Sequence, residues 1–69
     1  MTEIPLAPLK RIIYSAGAKN VSDSAAASMA KILEEYALNI SMKAIELTRH
    51  AKRKTVTSED VELAEKLAK

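Results

Sequence analysis

Apolar residues recur at helical spacing in three segments of the chain, and the first of these segments is short. Its stripe has spacings of three and four residues and consists of Leu6, Leu9, Ile13 and Ala16. Such spacing places side chains on one face of an α-helix. Proline is tolerated in a first helical turn, and glycine is the usual residue just beyond a helix end. The pattern therefore predicts a helix that begins between Pro5 and Pro8 and ends at Gly17.

The second segment is long and contains no glycine or proline between Ser22 and about His50. Its apolar stripe again steps by three or four residues and consists of Met29, Leu33, Tyr36, Ile40, Ala44, Leu47 and Ala51. Ser22 is a favoured N-cap residue, and the carboxylate of Asp23 suits the positive end of a helix dipole. We predict one helix of about 29 residues that follows a short connector at residues 18–21.

A second connector, residues 52–56, precedes the third apolar segment. Thr57 and Asp60 have the spacing of a capping box, in which an N-cap hydroxyl and an acid at the third helical position each accept a backbone N–H of the other. The helix that begins there is predicted to run to Leu67. The chain is thus predicted to be all-α, with its helices in the order short, long, short.

The long helix is too long to be covered by its neighbours within one chain. It spans about 43 Å, whereas each flanking helix spans about 15 to 18 Å. The chain has 69 residues and no cysteine, Phe or Trp. Domains of this length usually need disulfides, a bound metal or a partner chain to be stable. We predict that residues 1–69 form a single domain of an obligate, intertwined homodimer. The predicted dimer core contains Met29, Leu33, Tyr36, Ile40 and Leu47.

The composition argues against several classes of function. The sequence has one histidine, no cysteine and no glycine-rich loop, and its carboxylates lie at caps or on exposed helix faces. This leaves no metal-ligand set, no acid–base pair and no phosphate cradle. We therefore expect no catalysis, no cofactor and no metal site. No apolar run approaches the roughly 18 residues of a membrane span, and no signal-peptide pattern opens the chain. We expect a soluble cytoplasmic protein without a membrane partner.

Positive charge collects at the connectors, although the net charge is only +2. Residues 48–57 carry four cations and no acid, and residues 1–21 carry three cations and one acid. Residues 22–47 carry two lysines and four acids. Cationic connectors beside helix ends suit the phosphate backbone of duplex DNA. Because the only aromatic residues are two tyrosines, we do not expect stacking on single strands or base-specific readout.

The chain resembles an archaeal histone over nearly its whole length, in motifs at ungapped spacing. They are Ile4-Pro5-Leu6-Ala7-Pro8, Arg11-Ile12-Ile13, Ala16-Gly17-Ala18, Val21-Ser22, Leu33-Glu34-Glu35-Tyr36, the block from Arg49 to Val56, and Ser58-Glu59-Asp60-Val61-Glu62-Leu63-Ala64. The resemblance implies the histone fold without basic tails. Its chains pair in a handshake, with Val21 of one chain and Val56 of the other in a short parallel β bridge.

The resemblance also implies a function, which is the nonspecific wrapping and compaction of duplex DNA into nucleosome-like particles on the chromosome. In the eukaryotic relatives, arginines enter the minor groove about every 10.2 bp. Arg11 matches the family's minor-groove arginine, and Lys54 and Thr55 match its phosphate contacts. The other residues expected to contact DNA are Arg53, Lys19, Asn20 and Lys10. Arg53 also resembles the family's arginine that binds Asp60 within one chain, so a structural role and a DNA contact both remain open.

Two positions depart from the family pattern. Asn20 stands where the family usually has an arginine, and Lys52 stands where it often has a glycine. Asn20 can still donate to a phosphate, and Lys19 or Lys52 can restore the charge, but a lysine lacks the guanidinium fork and acts as a point charge. These departures concern DNA affinity more than the mode of binding.

The resemblance further implies that dimers associate. Leu47, His50 and Asp60 match the surface through which family dimers form a four-helix bundle, with His50 of one dimer facing Asp60 of the next. A histidine in a last helical turn is equally explained by a favourable interaction with the helix dipole. In a longer superhelix, Gly17 permits close approach of stacked turns. The ion pairs between those turns would join Lys31 to Glu62 and Glu35 to Lys66.

The implied partners are therefore duplex DNA, a second copy of the chain, further dimers and paralogous histones. Two other functions are compatible with the same helices, because a fold does not establish a function. A histone-fold dimerisation subunit of a transcription or replication complex would not wrap DNA. A plain helical dimerisation domain would show no salt-dependent DNA affinity. Arg11, Lys54 and Thr55 are the residues that discriminate between these alternatives.

Overall fold

The computed structural model describes residues 3–68, and it contains three helices. They are α1 (Leu6–Ser15), α2 (Asp23–His50) and α3 (Ser58–Leu67). No strand occurs within residues 3–68. The predicted all-α fold with short, long and short helices is confirmed, and the β bridge between two chains stays a prediction.

Helix α1 begins and ends at the residues that its prolines and glycine predict. Pro5 is the N-cap, and Pro8 lies in the first turn, where a missing N–H removes no helical hydrogen bond. After the C-cap Ala16, Gly17 has φ +116°. The N–H of Gly17 donates to the Tyr14 carbonyl at 3.0 Å, and the next N–H donates to the Ile13 carbonyl at 3.4 Å. These two bonds form a Schellman motif with Gly17 at its positive-φ position.

Helices α2 and α3 both begin at side-chain caps. The Ser22 hydroxyl accepts the N–H of Ala25 at 3.0 Å, and Asp23 lies in the first turn of α2. At α3, Thr57 and Asp60 form the predicted capping box. The Thr57 hydroxyl accepts the N–H of Asp60 at 3.4 Å, and the Asp60 carboxylate accepts the N–H of Thr57 at 3.0 Å. Local sequence thus determines where each helix starts.

The chain divides into two compact units between Glu35 and Tyr36, inside α2. The buried apolar residues of the first unit are Leu9, Ala26 and Ala30. In the second unit, Ile40, Ala44 and Ala64 form a buried cluster, and the partly buried Leu47 packs against it. Most of these buried side chains are alanines, so neither unit buries much apolar surface within the chain.

Large apolar side chains remain exposed in both units. In the first unit these are Ile12, Tyr14, Ile32 and Leu33. In the second unit they are Tyr36, Leu38, Met42, Ile45, Val56, Val61, Leu63 and Leu67. No large side chain among the described residues is fully buried. Apolar surface of this extent on a small chain is typical of a protein that associates with a partner.

Candidate nucleic-acid interface

The second connector begins with a tight turn at the end of α2. Lys52 has φ +59° and is the only non-glycine residue with positive φ in residues 3–68. Its N–H donates to the Arg49 carbonyl at 2.9 Å, and the N–H of Arg53 donates to the Thr48 carbonyl at 3.0 Å. These bonds form a second Schellman motif, in which a lysine occupies the position that Gly17 occupies after α1.

The Asp60 carboxylate connects this turn to both flanking helices. The Arg53 guanidinium donates to its two oxygens, at 2.9 Å to Oδ2 and 2.7 Å to Oδ1. The Thr57 hydroxyl lies 3.1 Å from Oδ2, and the Thr48 hydroxyl in α2 lies 2.9 Å from Oδ2 and 2.9 Å from the Ala44 carbonyl. Asp60 and Thr48 are both buried. The network holds the end of α2, the connector and the start of α3 together.

These hydrogen bonds shift the pKa values of Asp60 and Arg53. The Arg53 guanidinium contributes most to holding the pKa of Asp60 well below its usual range, and the Thr57 N–H and two hydroxyls add to that effect against the cost of burial. The pKa of Arg53 is raised, chiefly by its hydrogen bond to Asp60. Both groups are charged at neutral pH, so the charge of Arg53 is largely balanced within the chain.

The remaining cations of the second connector, and one in the last turn of α2, have no carboxylate partner among the described residues. Lys52, Lys54 and Arg49 are exposed, and the described part of the chain places no acid within ion-pair distance of them. Thr55 is also exposed, and its carbonyl accepts a hydrogen bond of 3.3 Å from Arg53. The connector therefore presents uncompensated positive charge on a backbone that the Asp60 network fixes.

Near the first connector, one cation of α1 is paired and another is free. Lys10 forms an ion pair with Asp23 at the start of α2. Their hydrogen bond raises the pKa of Lys10 and lowers the pKa of Asp23. Arg11 is exposed, and no side chain in residues 3–68 pairs with its guanidinium. Lys19 and Asn20 are exposed in the connector.

The residues predicted for the dimer core differ in how far the chain itself buries them. In the first unit, Met29 is half-buried and the side chain of Leu33 is 39% exposed. In the second unit, Tyr36 is 50% exposed, whereas Ile40 is buried in the cluster with Ala44 and Ala64. Leu33 and Tyr36 thus retain the most surface for a partner chain, and Ile40 already has one packing role.

The residues predicted for contacts between dimers also differ in how far they are exposed. His50 is exposed at the end of α2, Leu47 is half-buried, and Asp60 is buried with both oxygens accepting hydrogen bonds. Around Gly17, nothing lies within 4 Å of the position that a Cβ would take. The four charged residues predicted for stacking are exposed and form no ion pair in the described structure: Lys31, Glu35, Glu62 and Lys66.

Three contacts between side chains of different helices were not predicted from the sequence. The Thr48 hydroxyl reaches Asp60, twelve positions away, and Lys10 reaches Asp23, thirteen positions away. The Tyr36 hydroxyl donates to Glu65 at 3.4 Å. Each joins side chains of different helices, and no local spacing in the sequence identifies such a pair.

Two negative findings concern the same described residues. Between residues 3 and 68, His, Asp and Glu side chains nowhere gather in a group of three that could ligate a metal ion. None of the three helices combines the length and apolar character needed to cross a membrane.

Comparison with known proteins identifies close relatives. Residues 2–64 match the family described as "Histone-like transcription factor (CBF/NF-Y) and archaeal histone". The chain is 54% identical over 66 residues to one of the subunits of archaeal histone HAN1 from Thermococcus zilligii, a match that covers 96% of this chain and 98% of the relative. It is 52% identical over 64 residues to probable archaeal histone 3 of Methanocaldococcus jannaschii, a match that covers 93% and 96%.

The Asp60 network predicts a loss of stability in acid. Because the folded-state pKa of Asp60 lies below its unfolded value, its stabilising contribution is present above about pH 4 and is lost as the pH falls through the folded-state pKa. In urea unfolding at fixed protein concentration, the urea concentration at the unfolding midpoint should decrease as the pH is lowered from 5 to 2.

The matched variants for this measurement are Asp60→Asn and Asp23→Asn. Asp60→Asn should be less stable at pH 7 and should show a flatter pH profile than the unmodified chain. Asp23→Asn, which removes a carboxylate from an exposed ion pair, should change the profile little. An Asp60→Asn profile parallel to that of the unmodified chain would contradict the assigned role of this carboxylate.

Proposed function

Because the chain belongs to the family of archaeal histones and histone-like transcription factors, and is thus a DNA-binding chromatin protein and not an enzyme, we propose that its dimers wrap duplex DNA. The wrapping is independent of base sequence and compacts DNA into nucleosome-like particles on the chromosome in the cytoplasm. The observation that carries this proposal is the second connector, where Asp60 balances Arg53 while Lys52 and Lys54 remain exposed and unpaired among the described residues.

The proposed binding unit is a homodimer formed through α2. Exposed apolar side chains on both halves of this helix support it, among them Leu33 in the first unit and Tyr36 in the second. Burying such side chains against a second copy stabilises association, at about 25 cal/mol per Å² of apolar surface. The charge pattern of α2 does not oppose this, because its middle is apolar and only slightly acidic. A handshake of two chains would place the first connector of one beside the second connector of the other.

The proposed DNA contacts come from unpaired side chains of α1 and of both connectors. Arg11 inserts into the minor groove, and Lys54 and Thr55 contact phosphates. Lys19 and Asn20 add contacts from the first connector. Lys10 and Arg53 are already engaged by Asp23 and Asp60, so their contribution to DNA binding is the smaller one. Contacts of these types fix the position of DNA without reading its sequence.

Larger assemblies are proposed to form on DNA through the end of α2. Leu47 and His50 lie there, and Asp60 follows after the connector. Between stacked turns, the exposed pairs Lys31 with Glu62 and Glu35 with Lys66 each add little energy individually. The name of the Thermococcus relative makes it one subunit of an assembly, and pairing with a paralogous histone is part of the same proposal.

Loss of apolar contact area at Leu33 should dissociate the dimer. Leu33→Ala should cost roughly 2 to 5 kcal/mol per site, because the partner chain cannot fill the cavity. Sedimentation equilibrium at micromolar concentration should then show monomers where the unmodified chain shows dimers. Met42→Ala is the control, since Met42 is exposed on α2 but lies outside the predicted stripe. A stable, well-ordered monomer of the unmodified chain would contradict the proposal.

The electrostatic contact at Lys54 should be visible in the salt dependence of DNA binding. A duplex of random sequence is titrated with protein at several NaCl concentrations, and log affinity is plotted against log salt. Lys54→Gln should reduce the slope by about one unit per chain, because one phosphate contact is lost. Lys43→Gln removes the same charge from a lysine paired with Glu46 at 3.4 Å and should change the slope far less. A salt-independent affinity of the unmodified chain would exclude the electrostatic mode of binding.

Nuclease digestion distinguishes wrapping from simple binding. Wrapped DNA should give protected fragments, either one short length from closed tetramers or a ladder in regular steps from a growing superhelix. A histone-fold subunit that only dimerises within a larger complex would bind without protecting fragments of defined length. Binding without protected fragments of defined length would therefore favour the alternative function in a transcription or replication complex.

A further inference from the structure

Helix α2 has a second apolar face, which is separate from the stripe predicted for the dimer core. It consists of Leu38, Met42 and Ile45, of which Leu38 and Met42 are 60% and 56% exposed. At 3.6 residues per turn, the three side chains lie roughly 120° to 180° around the helix axis from the buried Ile40 and Ala44. The packing of α3 on α2 therefore leaves the second apolar face uncovered.

The spacing along this face is that of a seam between two helices. Leu38, Met42 and Ile45 follow one another at four and three residues, and Glu35 and Arg49 continue the alternation of three and four at the two ends. This repeat aligns side chains along one line of a helix, where a second helix packs against them. Single exposed apolar residues are common on protein surfaces, whereas a line of three over two helical turns is typical of an interface.

The two charges at the ends of the second apolar face suit another copy of the same face. Glu35 precedes Met42 by seven residues, and Arg49 follows it by seven. Both are exposed and have no ion-pair partner among the described residues. In an antiparallel pair of helices with a two-fold axis at Met42, Glu35 of each copy lies opposite Arg49 of the other. A parallel pair would instead place like charges together.

No unpaired charge interrupts the second apolar face. Lys43 and Glu46 are the only charged residues between positions 36 and 48, and their side chains form an ion pair with an N–O distance of 3.4 Å. An unpaired charge beside the face would oppose association, because it would lose water without gaining a partner. The face is therefore apolar along its length and is complementary in charge only at its ends.

We propose that two dimers associate through this face, with Leu38, Met42 and Ile45 of one copy packed antiparallel against those of the other and Glu35 paired with Arg49. The proposal rests on the proposed homodimer, and it requires no DNA. It is separate from the predicted dimer core and from the contact proposed at the end of α2. A contact of two helical turns is smaller than a standard interface of roughly 1,600 Å², so the association is weak. Dimers held on one DNA molecule form it more readily, because their effective concentration is high.

Sedimentation without DNA tests the contact through its dependence on concentration. Between about 5 μM and about 500 μM, the unmodified chain should pass from dimers to tetramers. Met42→Lys brings two like charges together at the two-fold axis and should weaken tetramer formation at least about tenfold, while the dimer persists. Ser28→Lys adds the same charge to an exposed position of α2 outside the face and should leave tetramer formation unchanged.

Charge reversal tests the antiparallel orientation. Glu35→Arg and Arg49→Glu should each weaken tetramer formation about two- to fivefold, because each replaces an exposed ion pair with two like charges. The double variant should restore tetramers, since it forms the same pairs with the opposite polarity. Lys66→Gln should change nothing in the absence of DNA, which separates this contact from the pair proposed between Glu35 and Lys66 in stacked turns.

A single introduced cysteine tests the position of the two-fold axis, because the chain has no cysteine of its own. Met42→Cys should form a disulfide between two copies under mild oxidation, since residues that face each other at the axis reach the required Cα separation of about 4.4 to 6.8 Å. Leu38→Cys is the matched control. Its two copies are offset by about 12 Å along the antiparallel helices and should not become linked.

The possible results separate this proposal from the proposed function. A chain that stays dimeric at every concentration, or equal linking of Met42→Cys and Leu38→Cys, overturns the contact and leaves DNA wrapping standing. Monomers of Met42→Lys would assign the second apolar face to the homodimer itself, and monomers of the unmodified chain would remove the homodimer, so both overturn the proposal. Tetramers without salt-dependent DNA binding or nuclease protection contradict the proposed function alone.

Discussion

The buried carboxylate of Asp60 is the interaction on which the geometry of the second connector depends. It accepts hydrogen bonds from the end of α2 through Thr48, from the connector through Arg53, and from the start of α3 through Thr57. A buried carboxylate is costly unless it is paired and hydrogen-bonded, and here both conditions are met. Because the network neutralises Arg53 and fixes the backbone, the neighbouring lysines project their charge from a defined position. The proposed DNA-binding surface thus depends on an ion pair within the chain.

A second constraint comes from the small amount of apolar surface that each unit buries. The fully buried residues Ala26, Ala30, Ala44 and Ala64 contribute one methyl group each, and larger side chains such as Ile32 and Leu38 are 65% and 60% exposed. Helices α2 and α3 are therefore capped by side chains, but residues 3–68 contain no large side chain that is fully buried. In the proposed dimer, stability and DNA binding would be coupled, because the second chain that covers the apolar faces would also supply the second set of cationic connectors.

Local features of the fold were predictable from the sequence, and tertiary features were not. Ser22, Thr57 and Gly17 act through their immediate neighbours, so their roles follow from spacing alone. Thr48 is a polar residue within α2, and its partner Asp60 is identified only once α2 and α3 are packed. The positive φ of Lys52 could not be predicted from the sequence, because a lysine does not indicate that conformation. Among the site residues, the sequence and the resemblance named the cations, and the structure distinguished those with carboxylate partners from those without.

The use of alanine at the buried positions has a consequence for the evolution of pairing. Where Ala44 meets Ala64, the two helix backbones have little side-chain volume between them, so mutations to bulkier residues are poorly tolerated. The large exposed residues do not have that packing restriction within their own chain. In the proposed dimer, substitutions there would alter which homologue a chain prefers while the packing inside each chain is kept. In the proposed assembly, partner choice and internal packing would therefore depend on largely separate sets of positions, which would allow duplicated genes to diverge in assembly.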